Sequence, residues 1–342
     1  MTLRRHAPIA ISVLTLALAC GGGGGSTPGP TTAIYAGGET STATAGIATI
    51  WRNGTPTLLG DGVHTSWVNA VKAFGPNVHA AGSDTVGAHQ VAAYWLNGVV
   101  THLTDGSAQA EATGLALSGS DVYVSGWDAA SGQVSAEIWK NGALFETLSS
   151  SPGGAKADAI AVSGTDVYAA GSASNGTVQV GTVWKNGAAS PLSDGTHNDI
   201  IYGLFLSGSD VYACGQEYIG AIWVAKVWKN GVATTLSDGV HDAEARAVFV
   251  SGSDVYVAGR DTALAGQACI WKNGVRTALP VTADTAVANA VFASASAGVV
   301  VGGRRLLPSD HGVAVLWVDG EGTELTDGTH EASVDSISVL SY

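Results

Sequence analysis

Charge is what this chain has least of. Only 13% of its 342 residues are charged, where about 25% is usual, and 15 basic side chains against 28 acidic ones leave a net charge of −13. With so little of one sign and no basic run, attraction to a phosphate backbone is missing, which excludes nucleic-acid binding as the main role. Beyond the first 19 residues no apolar stretch is long enough to cross a bilayer. Catalytic signatures are absent too: there is no Gly-X-Ser-X-Gly elbow, His-Glu-X-X-His motif, Walker loop or dinucleotide glycine pattern. An Asp-X-Asp-X-Asp-Gly calcium loop is also missing, so neither a metal nor a cofactor is expected. Of three cysteines, Cys214 and Cys269 sit inside apolar strand-like runs and read as buried, unpaired thiols.

Glycine, by contrast, is plentiful: 47 residues, about twice the average usage near 7%. Beside a hydrophobic fraction of 46%, this points to turn-dense all-β structure. At the start, Arg4 and Arg5 precede an apolar run from Ala7 to Ala19, too short for a mature membrane helix and typical of an export signal. Leu16-Ala17-Leu18-Ala19-Cys20 resembles the lipobox of bacterial lipoproteins, with Ala17 where leucine is commoner. That resemblance implies removal of residues 1–19, lipidation of Cys20 and residence in the cell envelope; without it the segment reads as an ordinary cleaved signal. Gly21, rather than an aspartate, resembles a sorting signal for the outer membrane or cell surface. Residues 20–32, rich in Gly, Ser and Pro, form a tether with a reach of roughly 20 Å.

Internal repetition governs the rest, residues 33–342. Trp-Lys-Asn-Gly begins at Trp139, Trp184, Trp228 and Trp271, with variants at Trp51, Trp95 and Trp317, so the period stays between 43 and 46 residues over seven copies. Each copy holds four strand-like runs, for instance Thr113–Ser118, Asp121–Gly126, Ser135–Lys140 and Ala143–Leu148. Asn-Gly after the third run predicts a type I′ hairpin. Four antiparallel strands repeated seven times describe a seven-bladed β-propeller. The first run of the repeat, from Ala33, is a second strand and the last, Ser336–Leu340, a first strand, so the C-terminal strand is expected to complete the N-terminal blade. The repeats resemble those of bacterial extracytoplasmic propeller lipoproteins built from Val-Tyr-Val-Ala-Gly and Trp-Lys-Asn-Gly units. In layout they are distantly similar to WD repeats, although the Trp-Asp pair after the third strand is absent.

The seven tryptophans Trp51, Trp95, Trp139, Trp184, Trp228, Trp271 and Trp317 are expected to pack between blades. Asp-Gly-X-His occurs four times, ending at His64, His197, His241 and His330. Copies spread around a ring cannot converge on one metal ion, so these histidines are expected to be structural and to bond a neighbouring blade. Recognition residues are sought where the repeat varies. Just before the core of each innermost strand stand Asn69, Thr113, Asp158, Tyr202, Arg246, Asn289 and Asp335. Two residues earlier stand Trp67, Glu111, Lys156, Ile200, Glu244, Val287 and Ser333. Period-2 alternation places both sets on one side of their strands, at one mouth of the central channel. The loops between second and third strands, with Trp127, Tyr218 and Trp223, are expected to open on that face. The aromatic and charged mix suits a protein or glycan ligand. The competing readings are a glycan hydrolase or lyase using these carboxylates, and a purely structural surface protein.

Overall fold

Among the residues that the computed structural model describes, 32–148, 153–264, 266–281, 285–309 and 311–341, twenty-eight strands form seven four-stranded antiparallel sheets. Each sheet is a blade whose strands follow chain order from the channel outward, and in the closing blade Ala332–Ser341 lies innermost, against Thr32–Ser41. This is the expected closure: each terminus finds its partner at the opposite end of the chain. The segment 1–31, with the export signal, Cys20 and most of the tether, lies outside the described residues.

Local chemistry explains the uniform hairpins. The Asn of every Trp-Lys-Asn-Gly unit, and Asp319 in the last, has φ between 48° and 52°, and the following glycine between 76° and 87°, the signature of a type I′ turn. Its side chain works twice. Asn141 Oδ1 accepts the Val122 amide at 2.9 Å while its Nδ2 donates to Asp121, which also pairs with Lys140. Lys140 in turn lies 4.9 Å from the Tyr123 ring centre. The same set recurs at Lys185, Lys229 and Lys272, which accounts for the joint recurrence of Asp-Val-Tyr and Trp-Lys-Asn-Gly.

Between blades, all seven repeat tryptophans are at most 1% exposed. Trp184 packs with Ala116, Tyr123, Ala136 and Ile138 of the preceding blade, and Trp51 with Ala290, Val300 and Ala314 across the closure. At about 25 cal/mol/Å² over roughly 150–250 Å², each contributes up to about 4–6 kcal/mol as an upper bound. Cys214 and Cys269 are free and buried, as expected.

The innermost strands differ from expectation in one consequential way. They begin about three residues earlier, for example at Ala110 rather than Thr113, and each contains a β-bulge. The bulged residue, which takes no place in the ladder, is Asn69, Thr113, Asp158, Tyr202, Arg246, Asn289 or Asp335. The expected alternation therefore breaks at this position, and strand parity flips beyond it. Opposite each bulge the second strand carries a glycine: Gly38, Gly82, Gly126, Gly171, Gly215, Gly259 or Gly303. A Cβ there would stand 1.8 to 2.1 Å from a carbonyl oxygen of the innermost strand. The repeat glycine is thus required by close approach, not by an unusual φ.

Candidate functional site

Seven bulges at one level of seven blades aim seven side chains at one channel mouth. A bulge also frees the carbonyl of the residue before it from the ladder. Three of the seven side chains use that carbonyl as a staple to the next blade. Asn69 Nδ2 donates to Ala112 O at 2.9 Å, Thr113 Oγ1 to Ala157 O, and Asn289 Nδ2 to Val334 O at 3.1 Å. The other four, Asp158, Tyr202, Arg246 and Asp335, make no such staple among the described residues.

Around this ring the expected residues gather in sectors. Glu111 Oε1 accepts Trp67 Nε1 at 3.1 Å and Asn69 Nδ2 at 2.8 Å, while its Oε2 accepts Trp127 Nε1 at 3.2 Å. Lys156 Nζ lies 4.2 Å from the Trp127 ring centre, a cation–π contact. Two half-buried indoles are thereby fixed edge-on to one carboxylate. In the adjoining sector Glu244 is held in a fork by Arg246, with Nε at 2.8 Å, and by Arg260 at 2.6 Å. The Arg246 guanidinium lies 5.4 Å from the Tyr202 ring centre. Burial pushes the Tyr202 hydroxyl up to about 12.

Two cavities open here. One, of about 520 Å³, lies at the mouth beside the closing blade and brings together Trp67, Asn69, Arg246, Asn289 and Asp335 with Glu39, Arg304 and Glu331. Burial, with Asp335 and Glu331 adding repulsion against the pull of Arg304, pushes Glu39 up to about 7. The second, about 390 Å³, continues down the channel and holds Asp158 and Tyr202, with Arg246, Asn289 and Asp335 shared. Burial raises Asp158 to about 7 and raises Asp335 as well. Glu111, Lys156 and Glu244 line neither cavity; Glu111 holds Trp67 and Glu244 holds Arg246, which do.

A further ring was not anticipated from sequence. Directly across the ladder from Ser333, Trp67, Glu111, Lys156, Ile200, Glu244 and Val287 stand Glu39, Ser83, Trp127, Ser172, Gln216, Arg260 and Arg304. Each immediately follows a repeat glycine, and that variable position after an invariant one was the available signal. Trp223 lies within the strand Ile222–Lys229, its ring 5.1 Å from that of Tyr218 across the hairpin.

The Asp-Gly-X-His turns correct one expectation. His64 Nδ1 lies 2.7 Å from Asp61 Oδ2, and His241 Nδ1 2.8 Å from Asp238 Oδ2, each within its own turn and not on a neighbouring blade. In the other two copies a threonine takes the aspartate, and His197 and His330 bond that threonine. In the His64 and His241 turns Asp Oδ1 caps the turn amides while Oδ2 takes the ring, so the histidine is satisfied locally; His197 also lies 3.6 Å from Glu217 Oε1, outside its own turn.

No family model and no curated protein matches the chain. Among solved structures it is similar to a Mycobacterium tuberculosis puromycin-hydrolyzing peptidase, at 11% identity and a TM-score of 0.56, over 88% of this chain and 53% of that one. The chain thus spans about half of that protein, and the likeness is one of fold. It is also similar to the WD40 β-propeller domain of Doa1, with 13% identity, a TM-score of 0.47 and coverage of 90% and 96%. A putative TolB from Agrobacterium tumefaciens gives 11% identity, a TM-score of 0.45 and coverage of 92% and 99%. What fold and site together define is a seven-bladed β-propeller with one strongly individualised channel mouth.

Proposed function

We propose that the chain is a lipid-anchored binding protein of the bacterial cell envelope that recognises a glycan, or a polar segment of a protein, at the channel mouth. One observation carries the reading. An otherwise repetitive scaffold uses seven glycine-backed bulges to present side chains of five different kinds. The mouth cavity favours a glycan: Trp67 offers a flat apolar wall beside the amides of Asn69 and Asn289 and the charged groups of Arg246, Arg304 and Asp335. The anchor rests on Arg4, Arg5 and the Leu16–Cys20 segment. Cys20→Ser is expected to abolish lipid labelling and release the protein from the membrane fraction.

A glycan array and a pull-down, run with the wild type and with a Trp67→Ala/Arg246→Ala variant of equal thermal stability, test recognition. Capture by the first and loss by the second supports the mouth as the site; equal capture by both refutes it. The hydrolase or lyase reading draws on Glu39. A carboxyl group pushed up to about 7 beside Asp335 and Glu331 has the property of a general acid. Turnover of a captured glycan, lost in Glu39→Gln while binding persists, would replace binding by catalysis.

A further inference from the structure

Three residues beyond each bulge, the innermost strands contribute another layer to the channel: Lys72, Ala116, Ala161, Phe205, Phe249, Phe292 and Ser338. The tilted rings of Phe205 and Phe249 pack with centres 4.7 Å apart, and those of Phe249 and Phe292 with centres 4.8 Å apart. Three successive blades thus form one phenyl arc. In a ring of seven, the blade of Lys72 faces the blades of Phe205 and Phe249, so a single ammonium group stands opposite the arc. To either side of Lys72 the aligned residues are the small Ser338 and Ala116. Lys72 and all three rings line the 390 Å³ channel cavity.

Lys72 has no hydrogen-bond or ion-pair partner among the described residues. Every other lysine described, by contrast, has an acidic or aromatic partner. Solvent reaches it along the channel while protein surrounds it, and burial lowers its proton affinity with no nearby carboxylate to offset that. Asp158 and Asp335, the acids of the same cavity, are both raised by burial, and neither pairs with it. The layer between the bulges and Lys72 consists of alanines, glycines and Ser336, so no long side chain bars the way from the mouth.

We propose that this channel level is a second binding site, distinct from the mouth, for a small aromatic monocarboxylate: its carboxylate meets Lys72 and its ring lies against Phe205, Phe249 and Phe292. Arg246 of the same cavity belongs to the bulge level above and is bonded to Glu244, so the ammonium group of Lys72 is the unpaired cation here, and one such charge matches a single negative charge better than a phosphate dianion. The cavity has room for a one- or two-ring molecule. The site stands whether or not the mouth binds a glycan.

Isothermal titration of the full chain with benzoate, acetate and benzylamine at neutral pH tests it. Benzoate is expected to bind at one site per chain, acetate about tenfold or more weakly, and benzylamine not at all. Lys72→Met should weaken benzoate by about tenfold or more, and Lys72→Arg, which keeps the charge, should retain it within a few-fold. Should Lys72→Met fail to fold, Phe249→Leu together with Lys72→Arg carries the test, the first weakening benzoate more than acetate. The proposal is overturned by undiminished benzoate binding in Lys72→Met, by acetate binding as tightly as benzoate, or by no heat with benzoate at millimolar concentration.

Discussion

Replacing Gly215 by alanine probes the device on which the site depends. Its φ lies outside the left-handed region, so alanine meets no backbone penalty, and the whole cost is space. The new Cβ would stand 2.0 Å from Ile200 O and 2.9 Å from Ile201 Cα, both backbone atoms of the innermost strand beside the Tyr202 bulge. The ladder must open by about 1 Å before the first contact reaches even 3.0 Å. Inserting a methyl group against atoms that cannot rotate away belongs at the upper end of overpacking costs, about 3 kcal/mol or more. With an unfolding entropy of about 2.1 cal/mol/K per residue, a propeller of this size loses about 5 °C in Tm. Gly208 in the same blade is the control. Its φ is +58° and nothing lies within 4 Å of a built Cβ, so alanine there costs only the left-handed backbone, about 1–2 kcal/mol. Differential scanning calorimetry of both variants decides. A Gly215→Ala variant as stable as Gly208→Ala, or more so, would refute the claim that close approach requires the repeat glycines.

Other consequences follow from buried groups. Trp184 Nε1 has no partner among the described residues, whereas Trp317 Nε1 donates to Pro280 O at 3.0 Å; Trp317→Phe should therefore cost about 1 kcal/mol more than Trp184→Phe in urea unfolding. Glu39, Glu137 and Asp158 are each pushed up to about 7, chiefly by burial. Between their ordinary values and pH 7 the folded chain binds more protons than the unfolded one, so stability falls as pH rises through that window. Urea midpoints measured from pH 4.5 to 8 should show that decline, and Glu39→Gln should make it shallower; a midpoint that rises over the window contradicts the burial of these acids. Burial also drives both internal thiols well above the ordinary cysteine range, so peptide mapping after a thiol reagent should find Cys214 and Cys269 modified only once the chain is unfolded.

The strand count, the type I′ turns and the ring closure were legible because each rests on a spacing or a turn residue that recurs seven times. The bulges were not. A residue that leaves the ladder looks in sequence like one more step of the alternation, so Asp158 or Tyr202 reads as an ordinary strand position. The cross-strand ring was hidden for a related reason: Trp127 and Glu111 are 16 residues apart, and only the register set by the bulge makes them neighbours. The partner of His64 is hidden by a competing local bond, since Asp61 satisfies both the turn and the ring. Lys72 is not legible in the sequence because its aligned positions hold alanine, serine and phenylalanine, with no chemical pattern to follow.

Variation at a solvated rim is also what drift produces, and the two accounts expect different geometry. Independent drift would change each blade without regard to its neighbours. The mouth residues instead fit one another across blade boundaries. Glu111 of one blade receives donors from Trp67 and Asn69 of the preceding blade, as well as from Trp127 of its own. Asn289 bonds Asp335 of the next blade at 2.9 Å, and Arg246 lies over Tyr202 of the blade before it. Substituting one member would leave a half-buried carboxylate or guanidinium group without its partner, at a cost of about 1–3 kcal/mol. Such pairs must therefore change together, if at all. Meanwhile Asp158, Tyr202, Arg246 and Asp335 make no staple between bulge and carbonyl, although asparagine or threonine at the same position does so in three other blades. A surface maintained only for packing would keep the stapling residue in every blade. Four departures around one mouth, set among side chains matched across blade boundaries, are what the proposed recognition surface predicts.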